Sequence, residues 1–164
     1  MEMDRVSKEN YYLDIAQTVA ERSTCLRRAF GAIIVKNDVI VSTGYNGAPR
    51  GRINCCDRGS CIREEMNIPR GERYELCRSL HSEANAIIAA PREQMLGSTL
   101  YMVCISPHDK SLQSGTNSCM MCKRMIINAG IETVIIRDTK EEYRVIDVQS
   151  WIDDDDSLSM TFGY

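Results

Sequence analysis

The sequence has no apolar run approaching the roughly 18 residues that a membrane helix needs. Its first ten residues, Met1 to Asn10, are charged and polar, whereas a secretory leader would set a basic stub before an apolar stretch. A soluble, cytoplasmic protein with no membrane partner is therefore expected. A basic surplus is also missing: Lys and Arg number 20 against 23 Asp and Glu, a formal charge of −3. Proteins that grip a nucleic-acid backbone usually carry a basic excess or stripe, so a polynucleotide partner is disfavoured. Internal repeats are absent. What is plentiful is cysteine, eight in 164 residues. Without a secretory signal these are hard to read as a disulfide framework, because a reducing cytosol keeps thiols free. Metal ligation is the better reading. A hydrophobic content of 43% at this length fills one core without staples, so residues 1–164 read as a single domain.

Ser7 can cap a helix whose apolar side is Tyr12, Ile15, Ala16 and Val19, a spacing that returns to one face about every 3.6 residues. This helix should run to about Arg22. Ala32 to Val35 and Val39 to Val41 are β-branched runs on either side of Lys36-Asn37-Asp38, the pattern of a strand pair joined by a short turn. From residue 44 to 80 the pattern dissolves into glycine, proline, charge and four cysteines, far longer than an ordinary connection, and such loops are usually functional. His81 to Ala90 reads as a second helix stopped by Pro91. Thr99 to Ile105 reads as a strand, Cys119 to Asn128 as a third helix ended by Gly130, and Thr133 to Ile136 as a buried strand. The chain then turns polar, and residues 153–164, with the acidic run Asp153 to Asp156, read as a solvated tail. This order implies an α/β fold, a sheet with helices packed on its faces.

Cys119 and Cys122 lie three apart at the start of a predicted helix, so their sulfurs point the same way and suit one metal ion. A helix N-terminus carries partial positive charge and favours the thiolate that binds zinc. Alone, the pair is a moderate signal for a metal, beside which stand the readings of a redox dithiol or two core cysteines. The joint pattern with His81-Ser82-Glu83 changes that balance. Residues two apart do not share a helix face, so His81 must sit at or just before the first turn for both it and Glu83 to reach one site. Two thiolates and a neutral imidazole balance Zn²⁺ and leave its fourth position open, the mark of a catalytic site and not a closed structural one. Hydrolysis of an amidine also needs a group that moves protons between water, ring and leaving nitrogen, and Glu83 is placed for it.

These residues resemble the zinc-dependent cytidine deaminase superfamily, whose signature is H-x-E followed by P-C-x-x-C. Here Ser118 stands where the family has proline; it can still cap the helix, and the loop Ser106 to Asn117 before it is long. Within the superfamily the sequence is most similar to the deoxycytidylate (dCMP) deaminases, through Arg28-Ala29-Phe30-Gly31-Ala32-Ile33-Ile34-Val35, Ser42-Thr43-Gly44-Tyr45-Asn46-Gly47-Ala48-Pro49 and Asn54-Cys55-Cys56, over about residues 8 to 137. The resemblance implies a three-layer α/β/α fold with a central mixed sheet and hydrolysis of dCMP to dUMP and ammonia. It also implies a homo-oligomer, often a hexamer, regulated by dCTP and dTTP.

By the same resemblance Asn46 binds the sugar hydroxyl and Arg50 or Arg52 the phosphate, against the plainer reading of both arginines as solvated loop charges. His108 reads as a loop surface residue and Cys104 as core. A second, structural zinc is expected from Cys25, Cys55, Cys61 and Cys77, with Cys56 an alternative to a neighbour, because these spare cysteines border a loop that otherwise lacks a core. Other members of the superfamily act on tRNA adenosine or in riboflavin synthesis, and the acidic balance and the lack of a reductase-like domain weigh against them. A rival of another class is a non-catalytic module stapled by zinc, which would have no use for Glu83.

Overall fold

Two strands form the predicted hairpin, β1 (Ala29–Lys36) and β2 (Val39–Tyr45), in a computed structural model that describes residues 3–159. Asn37 and Asp38 both take positive φ, 51° and 61°, the setting of a tight turn whose twist matches the strands it joins and which Asn and Asp tolerate. The predicted strand β3 (Thr99–Ile105) follows, then β4 (Thr133–Arg137) and β5 (Tyr143–Asp147). Across the sheet the order is β2-β1-β3-β4-β5. β3 and β4 are parallel and the other neighbours antiparallel, so the sheet is mixed.

Alternation along the strands sorts residues to two faces. Ile33, Val35, Tyr101, Val103 and Ile135 meet Tyr12, Leu13, Ala16 and Ala20 of α1 (Lys8–Ala20). Ser7 caps this helix by accepting from the Asn10 amide at 3.2 Å. On the other face, Ala32, Ile34, Leu100, Met102, Val134 and Ile136 are covered by helices from later in the chain. The segment from 46 to 80 is not featureless: it holds the single turns α2 (Cys55–Arg58) and α3 (Ile62–Glu65) and a 3-10 turn at Tyr74–Leu76. Beyond it come α4 (Ser82–Ile88), α5 (Arg92–Met95), α6 (Met120–Ala129) and α7 (Val148–Asp153). Ala86, Met95, Ile126, Ala129 and Val148 from these four helices complete the second core. The result is the expected α/β/α sandwich.

The sequence reading ends the fold at β4, whereas β5 and α7 continue it. β5 is an edge strand with half-buried Tyr143, Arg144 and Ile146 and exposed Val145 and Asp147, so its alternation is too shallow to show. The acidic run begins inside α7; Asp153, Asp154 and Asp155 are exposed, and residues 160–164 lie outside the described residues.

β2 and α4 approach unusually closely. A Cβ on Gly44 would lie 2.3 Å from the Ser82 carbonyl oxygen and 2.4 Å from the Ala86 nitrogen, so only glycine fits. Ser42 donates to the Ala86 carbonyl at 2.7 Å, and the Asn85 side-chain Nδ2 to the Tyr45 carbonyl at 2.8 Å. These contacts fix the start of α4, where His81 and Glu83 stand.

Candidate metal centre

His81 is the N-cap of α4, with extended backbone (φ −71°, ψ 155°) and no capping bond from its ring. The imidazole is thus free to reach sideways while Glu83 sits in the first turn. Cys119 is the N-cap of α6 and Cys122 lies one turn on. Nδ1 of His81 is 3.3 Å from each cysteine Sγ, and the three atoms all lie within 4.8 Å of one another. Zinc bonds of about 2.3 Å to sulfur and 2.0 Å to nitrogen in a tetrahedron put neighbouring ligand atoms roughly 3.5 Å apart, so the residues fit that ion. No other trio of His, Cys, Asp or Glu meets so closely among the described residues.

The electrostatics agree with the geometry. The Cys119 thiol is lowered to about 4 by its bonds to Cys122 and His81, against the opposing effect of burial. Cys122 is pushed up, by the bond to Cys119 and by burial. A metal ion binding between them takes both as thiolates and displaces their protons. Burial acts to lower His81, but its bond to Cys119 and the charge of Glu83 outweigh that and raise it.

Glu83 is 3% exposed and stands beside the trio without belonging to it. Ser118 donates to its Oε1 at 2.9 Å and Ser82 to its Oε2 at 3.1 Å. This corrects the expectation that Ser118 caps α6. Cys119 takes that place, its Sγ accepting from the Cys122 amide at 3.3 Å, and the serine hydroxyl turns to the glutamate.

The site opens on a cavity of about 270 Å³, in which His81, Glu83, Cys119 and Asn46 share the wall. Asn46 is buried; its Oδ1 accepts from the Phe30 amide and the Ser23 hydroxyl, and its Nδ2 donates to the Arg28 carbonyl, leaving one amide hydrogen. Arg50 and Arg52 are exposed and are not among the lining residues, while Arg28 and Arg70 are. Neither of those two guanidinium groups has a hydrogen bond or ion pair among the described residues. The sequence reading passed over Tyr74, whose ring meets the His81 ring edge-on at 5.0 Å, and Arg63, which lies 4.7 Å over Tyr74 and is itself buried. Both come from an irregular stretch in which no periodicity marks a contact.

Cys25, Cys55, Cys61 and Cys77 line this same cavity. Burial raises the Cys55 thiol, and the charges of Cys25, Cys77 and Cys61 raise it further, so the four are neighbours, though not drawn together as tightly as the His81 trio. Cys56 is exposed. Cys104 is fully buried on β3, where burial pushes its thiol up to about 12, as fits a core residue. His108 is exposed and away from the cavity lining.

Residues 6–137 match the family described as the cytidine and deoxycytidylate deaminase zinc-binding region. The deoxycytidylate deaminase of Mycobacterium phage D29 is 34% identical over 138 residues, covering 81% of this chain and 96% of that protein. The deoxycytidylate deaminase of Schizosaccharomyces pombe is 33% identical over 131 residues, covering 80% of this chain; the match spans 37% of the yeast protein's length. Among solved structures, the dCMP deaminase of cyanophage S-TIM5 in apo form aligns with a TM-score of 0.57 at 29% identity, over 83% of this chain and 86% of that one. The same phage enzyme in complex with dCMP and dUMP aligns at 0.54 and 28%, over 82% and 85%.

Proposed function

The chain belongs to the cytidine and deoxycytidylate deaminase family, and on that premise we propose that it hydrolyses dCMP to dUMP and ammonia as a single zinc-dependent deaminase domain. The observation that carries the reading is Glu83, buried beside three converging metal ligands and not one of them. His81, Cys119 and Cys122 hold the ion. Zinc bound there supplies the Lewis acidity that makes water a nucleophile near neutral pH. Glu83 would take one proton of the attacking water and deliver it to ring N3 as C4 becomes tetrahedral, then carry the proton of the new C4 hydroxyl to the amino nitrogen as the C4–N bond breaks and ammonia leaves. Glu83 lines the cavity that would receive the ring.

Asn46 has one amide hydrogen left for the sugar hydroxyl. Arginines are suited to the phosphate, both Arg50 and Arg52 on the exposed loop and Arg28 and Arg70 in the cavity wall. A second zinc, structural in kind, belongs to the same reading, with Cys25, Cys55, Cys61 and Cys77 clustered along that wall. We also assign a homo-hexamer regulated by dCTP and dTTP. A groove between α4, α5 and α6, in which Ile87, Met121 and Met125 lie beside Arg92, Arg124 and Asn128, is the surface we assign to a subunit contact. No helix among the described residues is long and apolar enough to cross a membrane, and the cytoplasm is the proposed compartment.

The test is to incubate the purified protein with dCMP, CMP, dCTP, deoxycytidine and adenosine and to follow ammonia release with and without a chelator. Release from dCMP above all others, abolished by the chelator, is the expected result. Release from none of them, or from adenosine foremost, overturns the proposal.

A further inference from the structure

The two oxygens of the Glu83 carboxylate are held by hydroxyls from different parts of the chain. Ser82 precedes it on α4, whereas Ser118 arrives 35 residues later at the end of the loop that leads into α6. Both serines are fully buried. The Ser118 bond therefore ties the helix start that carries His81 to the one that carries Cys119. Proline, the family residue at this place, has no hydroxyl to offer.

A glutamate has three rotatable side-chain bonds, and a carboxylate that passes protons must stay within hydrogen-bond reach of the reacting atoms. One donor on each oxygen suppresses that freedom. Each ionised oxygen has about two acceptor positions, so a second lone pair on each remains for a water proton while the group is held. A satisfied buried polar group needs one such bond; two, from two elements, fix orientation.

We propose that Ser118, with Ser82 assisting, is a positioning residue for Glu83, doing in this chain by a side-chain bond what its proline-bearing relatives must do without one. The kinetic consequence rests on the deaminase reading, while the Ser118–Glu83 coupling does not. Removing the hydroxyl leaves substrate contacts in place and lets the carboxylate swing, so turnover falls and substrate binding does not.

The experiment compares Ser118→Ala, Ser82→Ala and Glu83→Gln, alone and combined, for zinc content and for kcat and KM on dCMP. Ser118→Ala should keep its zinc, lower kcat about 10- to 100-fold and leave KM within about threefold. Ser82→Ala should do the same to a smaller extent. Added to Glu83→Gln, Ser118→Ala should cost less than about twofold more, because the group it positions is already disabled. An unchanged kcat, an effect confined to KM, loss of zinc, or losses that multiply in the Glu83→Gln background each overturn the proposal. A parallel cycle of Ser118→Ala with Glu83→Ala, read by urea unfolding, needs no substrate. Non-additive stabilities support the bond and additive ones refute it, even if the wild-type protein deaminates nothing and the functional reading itself has failed.

Discussion

Glu83 accepts from the Ser82 and Ser118 hydroxyls and stands beside the Cys122 thiol, and no ion pair to it is found among the described residues. Glu83→Gln preserves shape and burial but cannot shuttle a proton. It should retain zinc and lose deamination by at least about 10²-fold, checked by elemental analysis beside ammonia release. His81→Ala, by contrast, should lose the zinc itself. The convergence of His81, Cys119 and Cys122 was legible because their motifs are local: H-x-E and C-x-x-C each lie within one turn of a helix start. Ser118 was misread as a cap for the complementary reason. Its partner lies 35 positions away, and only the packing of α4 against α6 brings them together. Tyr74 and Arg63 were invisible for the same reason, being joined to His81 through space across an aperiodic loop.

At the scale of elements, two joints hold the site in register. The first is Gly44, where β2 lies against α4. Gly44→Ala would drive a methyl into the Ser82 carbonyl, and overpacking of this kind costs about 1–3 kcal/mol. Urea unfolding should show that loss, with kcat falling because the displaced helix start carries Glu83. The second is Asp138, just after β4, which accepts from Arg144 at 2.7 Å and from the Gly115 amide at 2.8 Å, tying down the loop before Cys119. The Arg144 bond, more than the Gly115 one, holds its carboxyl below the ordinary value of 3.8. A depressed folded value lends stability that is present above the unfolded value and is lost as pH falls through the folded one. Asp138→Asn should therefore lower stability at neutral pH and flatten its decline under acid, as measured by unfolding midpoints between pH 7 and pH 3. Long elements with a clear period were readable to within a few residues. The single turns α2, α3 and α5 are too short to show a period, and β5 lies at an edge where burial selects weakly.

The whole molecule was legible as layers, because the unbroken apolar run Ile33, Ile34 and Val35 puts apolar side chains on both faces of its strand and so requires cover on each side of the sheet. It was not legible as a cavity, because Arg28, Asn46, Arg70, Cys77 and His81 come from separate segments that meet only in the folded chain. This matters most for the nucleotide's phosphate. If dCMP is the substrate, the phosphate is the handle that distinguishes it from deoxycytidine, and a charge-assisted hydrogen bond contributes about 1.5–3 kcal/mol. The kcat/KM for dCMP should then exceed that for deoxycytidine by roughly 10- to 150-fold for each contact made. Arg50 and Arg52 stand in solvent on the loop, where an ion contact is screened, whereas Arg28 is half-buried in the cavity wall and Arg70, though exposed, also lines it. Arg28→Ala and Arg70→Ala should therefore lower kcat/KM for dCMP toward the deoxycytidine value while leaving deoxycytidine itself little changed, and Arg50→Ala with Arg52→Ala should do so less. Steady-state assays of the two substrates in competition decide the point. Equal efficiency on both in the wild-type protein would remove the phosphate handle, and a loss confined to the Arg50 and Arg52 variants would move it from the cavity wall to the loop.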